Sequence, residues 1–78
     1  MDITTLGIDI AKSVFQLHGI DADGAVVVQK KLRRGAVLNF LGKVGPCLIG
    51  MEACATSHYW AREIAALGHE VRLSHRPM

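Results

Sequence analysis

The chain has 78 residues, half of them apolar and 21% charged, with a formal net charge of +2. This describes one domain or part of one: it is too apolar for a disordered tail and lacks the ~18-residue apolar run of a membrane span, and a chain this short buries only a little over ~60% of the surface its unfolded form exposes. Met1-Asp2 opens with an acid, and no long apolar segment with a small-residue cleavage site follows, so no secretory signal is expected and the cytoplasm is the default location.

Thr4 to Ala11 reads as a strand, because Leu6, Ile8 and Ile10 alternate with Gly7, Asp9 and Ala11; one face is apolar and the other small and acidic. Ser13 to Asp21 carries the β-formers Val14, Phe15, Leu17 and Ile20, and Asp21-Ala22-Asp23-Gly24 supplies turn chemistry before Ala25 to Val28. The first third is therefore predicted as a three-stranded meander. Lys30, Lys31, Arg33 and Arg34 follow, flanking Leu32. Val37, Leu41 and Val44 then recur at helical spacing up to the stop signal Gly45-Pro46, a helix of roughly two and a half turns.

Cys47 to Ala53 returns to strand character with Leu48, Ile49 and Met51. A second helix is expected to open at Thr56 or Ser57, either of which can cap it, to carry Trp60, Ile64 and Leu67 on one stripe, and to close at Gly68. Glu70 to Leu73, with Val71 and Leu73 at period two, is the last strand. The predicted class is α/β: a mixed five-stranded sheet of three antiparallel strands followed by helix, strand, helix, strand, with helices on its faces. One domain covers 1–78, and the abrupt ending Ser74-His75-Arg76-Pro77-Met78 predicts that it is incomplete at the C-terminus.

Two acids stand in matching settings, Asp9 in Gly7-Ile8-Asp9-Ile10-Ala11 and Glu52 in Gly50-Met51-Glu52-Ala53-Cys54. Each shares its strand face with small neighbours only. A carboxylate on a central strand is costly without a partner, and a divalent cation with oxygen ligands suits two adjacent carboxylates. The plainer alternative is that each acid is solvated at a strand end. Lys12 follows the first strand, and Thr56 and Ser57 open a helix just after Glu52; helix N-termini offer backbone donors to anions, so this layout suits phosphodiester or nucleotide chemistry. A turn lysine and a simple cap account for the same residues.

The run Lys30 to Arg34 has the charge to track a nucleic-acid backbone, although such runs are commonly solvated faces. Tyr59 and Trp60 can stack on bases, but Trp60 falls on the apolar stripe and is expected in the core. Cys47 and Cys54 are too few for a disulfide scaffold and are read as buried thiols. Cys54 and His58 lie four apart, yet Cys47, His69 and His75 complete no familiar zinc spacing. His18 is read as an ordinary satisfied or solvated histidine.

Taken together, Gly7-Ile8-Asp9-Ile10-Ala11-Lys12, Phe15-Gln16-Leu17-His18, Lys31-Leu32-Arg33-Arg34, Gly50-Met51-Glu52-Ala53-Cys54, His58-Tyr59-Trp60-Ala61-Arg62-Glu63 and Leu67-Gly68-His69-Glu70-Val71-Arg72-Leu73 resemble the N-terminal part of the DEDD transposases of bacterial insertion sequences. The resemblance runs from about Thr5 to Leu73, in that family's order and spacing. It implies a ribonuclease H-like fold, similar to Holliday-junction resolvases, with the first and fourth strands side by side. By the same resemblance Asp9 matches the first catalytic aspartate and Glu52 the catalytic glutamate, both ligands of Mg2+, for which Mn2+ substitutes. The family's other two acids are aspartates on a later helix, and its second domain carries a nucleophilic serine. No residue of this chain matches these: Asp2 precedes the motif, and Asp21 and Asp23 belong to a turn.

The implied function is DNA transposition or recombination, carried by a truncated chain holding half of an acidic metal site. Its implied partners are DNA, a structured guide RNA, and a second copy or full-length transposase. One competing reading is the opening of an actin-like ATPase or sugar kinase, which begins with a similar strand but continues with a glycine-rich phosphate turn where Ala11-Lys12-Ser13 stands here. Another is a non-catalytic remnant that associates with transposase through exposed sheet edges.

Overall fold

The computed structural model describes residues 3–11 and 13–74. The elements run β1 (Thr5–Ile10), β2 (Val14–Ile20), β3 (Val26–Arg33), α1 (Arg34–Lys43), β4 (Leu48–Glu52), α2 (Ser57–Ala65) and β5 (Glu70–Ser74). Lys12 and residues 75–78, which carry the expected phosphate contact and most of the abrupt tail, lie outside the described residues. The five strands form one mixed sheet in the order β3-β2-β1-β4-β5. β1 pairs antiparallel with β2 and parallel with β4, β2 pairs antiparallel with β3, and β4 pairs parallel with β5.

The first turn forms as its residues dictate. The Asp21 carboxylate accepts the backbone N–H groups of Asp23 and Ala25 at 2.9 and 3.0 Å. Gly24 supplies the left-handed residue, with φ of 83°, a conformation that costs a side-chain-bearing residue about 1–2 kcal/mol. β3 then runs further than its sequence suggests. Lys30, Lys31, Leu32 and Arg33 continue the ladder opposite Leu17, Gln16, Phe15 and Val14, so pairing with β2 overrides the weak strand preference of lysine. Only Arg34 of the basic run belongs to a helix.

Both helices pack on the same face of the sheet, whereas the sequence pattern predicts helices on its faces. The chain crosses from β3 to β4 through α1 and from β4 to β5 through α2, moving in one direction along the sheet. Crossovers between parallel strands are right-handed, and two that advance in the same direction land on the same side. A single core results, in which Leu6, Ile8, Phe15, Leu17, Ile49 and Met51 meet Val37, Leu41, Trp60 and Ile64. Among the described residues the opposite face carries no helix, and it is this bare face that holds the candidate site.

Leu67 departs from its expected place beside Trp60 and Ile64, being 40% exposed. α2 ends at Ala65, and its last turn tightens through hydrogen bonds from Leu67 N to Ile64 O and from Gly68 N to Ala65 O, both 3.0 Å. Gly68, at φ 101°, then turns the chain away. That tightening swings Leu67 off the apolar stripe.

Candidate functional site

Ile8 and Met51 are Cα partners in the parallel β1–β4 ladder, and both are buried in the core. The next residue on each strand is Asp9 and Glu52. Side chains alternate across a strand, so both acids stand on the bare face, side by side at the C-terminal ends of the two central parallel strands, and both are exposed. The preceding pair on that face is Gly7 with Gly50. A methyl group built on Gly50 would meet nothing within 4 Å, and one on Gly7 only the His18 carbonyl oxygen at 3.8 Å. The floor beside the acids is therefore bare backbone, from which a shallow groove of about 490 Å3 opens, with Glu52, Arg72 and Ser74 among its walls. Among the described residues no group of three or more His, Cys, Asp or Glu side chains converges. What the pair offers is two hard oxygen donors on one face of the sheet, the donor type that Mg2+ takes, with water completing its shell.

The expected nucleic-acid contacts separate into different surroundings. Lys30 lies on the helix side of the sheet, its ammonium 4.7 Å from the centre of the Phe40 ring. Lys31 and Arg33 oppose the exposed Gln16 and Val14 and face the bare side. Arg34 starts α1 with its guanidinium 5.8 Å from the Trp60 ring centre, and it shares a recess of about 170 Å3 with Thr56 at the end of β1. Neither Thr56 nor Ser57 caps α2 with its side chain. The Ser57 hydroxyl is fully buried, donating to the Cys54 carbonyl at 2.8 Å and accepting the Cys54 N–H at 3.0 Å. It staples the turn, and no part of it is presented to a phosphate.

Trp60 is a core residue, as its spacing indicates, edge-on to Phe15 with ring centres 4.8 Å apart. Tyr59 is exposed beside it. Cys47 is buried as expected, and burial pushes its thiol pKa up, keeping it protonated and unreactive at neutral pH. Cys54 is exposed, contrary to its reading as a buried thiol, because Ser57 takes the inward position of that turn. His69 is where sequence reasoning falls short. It is 5% exposed, accepts the Cys47 N–H on Nδ1 at 3.2 Å and places Nε2 2.8 Å from the Leu41 carbonyl. Because a backbone N–H must donate, Nδ1 is the acceptor and Nε2 carries the proton. The imidazole thus ties the end of α1 to the start of β4, and no periodicity in the sequence marks it.

No protein-family model matches the chain. Individual proteins do. The chain is 49% identical over 73 residues to a protein named probable family 20 transposase from Pseudomonas aeruginosa, an overlap that takes in 94% of this chain and 22% of that protein. A relative from Sinorhizobium fredii, also named as a transposase, is 46% identical over 71 residues, covering 91% of this chain and 18% of the relative. The transposase for insertion sequence element IS1328 of Yersinia enterocolitica is 38% identical over 72 residues, covering 92% and 22%. The chain's homologues are thus named transposases, and it spans about one fifth of the length of these curated relatives.

Proposed function

We propose that this chain is the metal-binding platform of a DNA transposase of the DEDD type with a ribonuclease H-like fold. In this reading Asp9 and Glu52 together hold one divalent cation, Mg2+ or its substitute Mn2+. The observation that carries it is the placement of both acids at one level of the parallel β1–β4 pair on a face free of helices. The transposase names of the relatives support it over the kinase alternative. A bound cation would supply charge to stabilise the attacking and leaving oxygens of a phosphodiester. The chain's own contribution is rigidity, since each carboxylate is borne on a strand hydrogen-bonded on both sides, and access, since Gly7 and Gly50 leave the approach clear. DNA is the partner of this chemistry. Structured RNA, further acids from a second copy or a longer transposase, and a cytoplasmic setting belong to the same reading.

Two carboxylates leave most ligand positions to water, so binding should be weak. At an ion concentration about ten times Kd, linkage stabilises the folded state by ~1.4 kcal/mol, which is several degrees of melting temperature for a domain this small. Melting curves with and without Mn2+ should show that rise for the parent and not for the double variant Asp9→Asn, Glu52→Gln. Equal rises in both would place the ion elsewhere. The 78-residue chain is also expected not to nick duplex, junction or single-stranded DNA with either metal, because one loosely held cation does not clamp both reacting oxygens. Nicking that disappears in Asp9→Ala would mean that another molecule completes the site.

A further inference from the structure

We infer that a DNA backbone crosses the bare face of the sheet perpendicular to its strands, running from the Asp9–Glu52 pair to Lys31 and Arg33 on the edge strand β3. The inference rests on the proposed function for one end of the path and on the sheet register for the other. Asp9 is the Cα partner of Gln16 in β2, and Gln16 is the partner of Lys31 in β3. Glu52, Asp9, Gln16 and Lys31 therefore form one row across four strands. With neighbouring strands ~4.8 Å apart, Lys31 stands about 10 Å from Asp9 along that row. A nucleic-acid strand carries one charge per ~3.4 Å of duplex axis, and its phosphates stand farther apart than that along the backbone itself, so about two or three neighbouring phosphates cover the row.

The positive charge on this face that is not paired among the described residues lies at the β3 end of the row. Arg72, on the far side of the acids, is paired with Glu70 at 3.2 Å. Lys31 and Arg33 make no salt bridge among the described residues, and both are exposed. Gln16, between the two ends, is an uncharged donor and acceptor. The competing explanation is that lysines on β3 only discourage edge-to-edge strand pairing. That role is indifferent to which face a lysine occupies. Phosphate binding is not, and it separates Lys31 and Arg33 from Lys30, their neighbour in sequence on the opposite face over Phe40.

The test compares two double variants of equal charge, Lys31→Gln with Arg33→Gln, and Lys30→Gln with Lys43→Gln, the latter pair lining one recess on the helix side. Binding of a fluorescent 20-nucleotide DNA is followed by anisotropy at several salt concentrations, with melting curves recorded to verify folding. The bare-face pair should weaken binding by roughly tenfold at low salt and lower the slope of log Kd against log salt by about two, one per lost phosphate contact. The helix-side pair should change Kd less than about twofold by the same argument. Equal losses from both pairs, loss from the helix-side pair alone, or no DNA binding by the parent would overturn the path. Because the metal reading is judged by the Mn2+ shift, its failure is told apart from a failure of the β3 end of the path.

Discussion

Replacing Trp60 with alanine is expected to cost about 3–5 kcal/mol, the usual range for deleting a buried aromatic side chain. A domain of this size has about 4–12 kcal/mol in total, at ~0.05–0.15 kcal/mol per residue, so this loss takes roughly a quarter or more of it. The indole is 4% exposed, meets the Phe15 ring edge-on at 4.8 Å and has the Arg34 guanidinium 5.8 Å from its ring centre. It thus joins α2 to β2 and to the start of α1, and its loss opens a cavity where three elements meet. Urea unfolding followed by far-ultraviolet circular dichroism should find the transition midpoint of the variant lowered by about a quarter or more. Tyr59→Ala, one residue earlier but exposed, should stay within about 0.5 kcal/mol of the parent. A Trp60→Ala protein of near-parental stability would mean that α2 does not pack on the sheet as described.

His69→Phe is expected to be nearly as damaging, by about 2–4 kcal/mol, although it conserves bulk and adds apolar surface. Phenylalanine leaves the buried Cys47 N–H without its acceptor and the Leu41 carbonyl without its side-chain donor, and each stranded group costs about 1–3 kcal/mol. The Leu41 carbonyl keeps one weaker partner, the Val44 N–H at 3.3 Å, which places the total below the sum of two full penalties. The urea midpoint gives the stability change, and hydrogen exchange at the Cys47 amide reports the specific bond. Its protection should fall more than that of neighbouring β4 amides. A variant as stable as the parent would show that the imidazole merely fills space.

What the sequence makes legible follows from alternation. Leu6-Gly7-Ile8-Asp9-Ile10 and Ile49-Gly50-Met51-Glu52 each place an acid opposite the apolar face of its strand, so the facing of Asp9 and Glu52 is legible from period-two patterning alone. That β1 and β4 are neighbours is not in the local pattern. It depends on β2 and β3 folding back to one side while the crossover through α1 returns to the other, and only the family resemblance supplies it. The structure agrees on that pairing.

Other features are hidden because contacts distant in sequence decide them. Lys30 and Lys31 read as one basic cluster until pairing with Leu17 and Gln16 assigns them to opposite faces. Cys54 and Ser57 exchange expected environments because one hydroxyl can satisfy both Cys54 backbone groups while a thiol makes only weak hydrogen bonds. His69 follows a turn glycine, and its two partners lie 22 and 28 residues away, beyond the reach of any helical or strand period. The shared face of both helices emerges only from the direction of two crossovers taken together.

The central claim is that Asp9 and Glu52 form one cation site, and site-resolved paramagnetic broadening tests it most directly. Substoichiometric Mn2+ added to the isotopically labelled chain should first erase the backbone amide signals of Gly7 to Ile10 and Gly50 to Ala53 together, and Asp9→Asn should restore both stretches at once. Broadening that centres on Asp21 and Asp23 or on Glu70, or that persists around Glu52 unchanged in Asp9→Asn, would contradict a shared site.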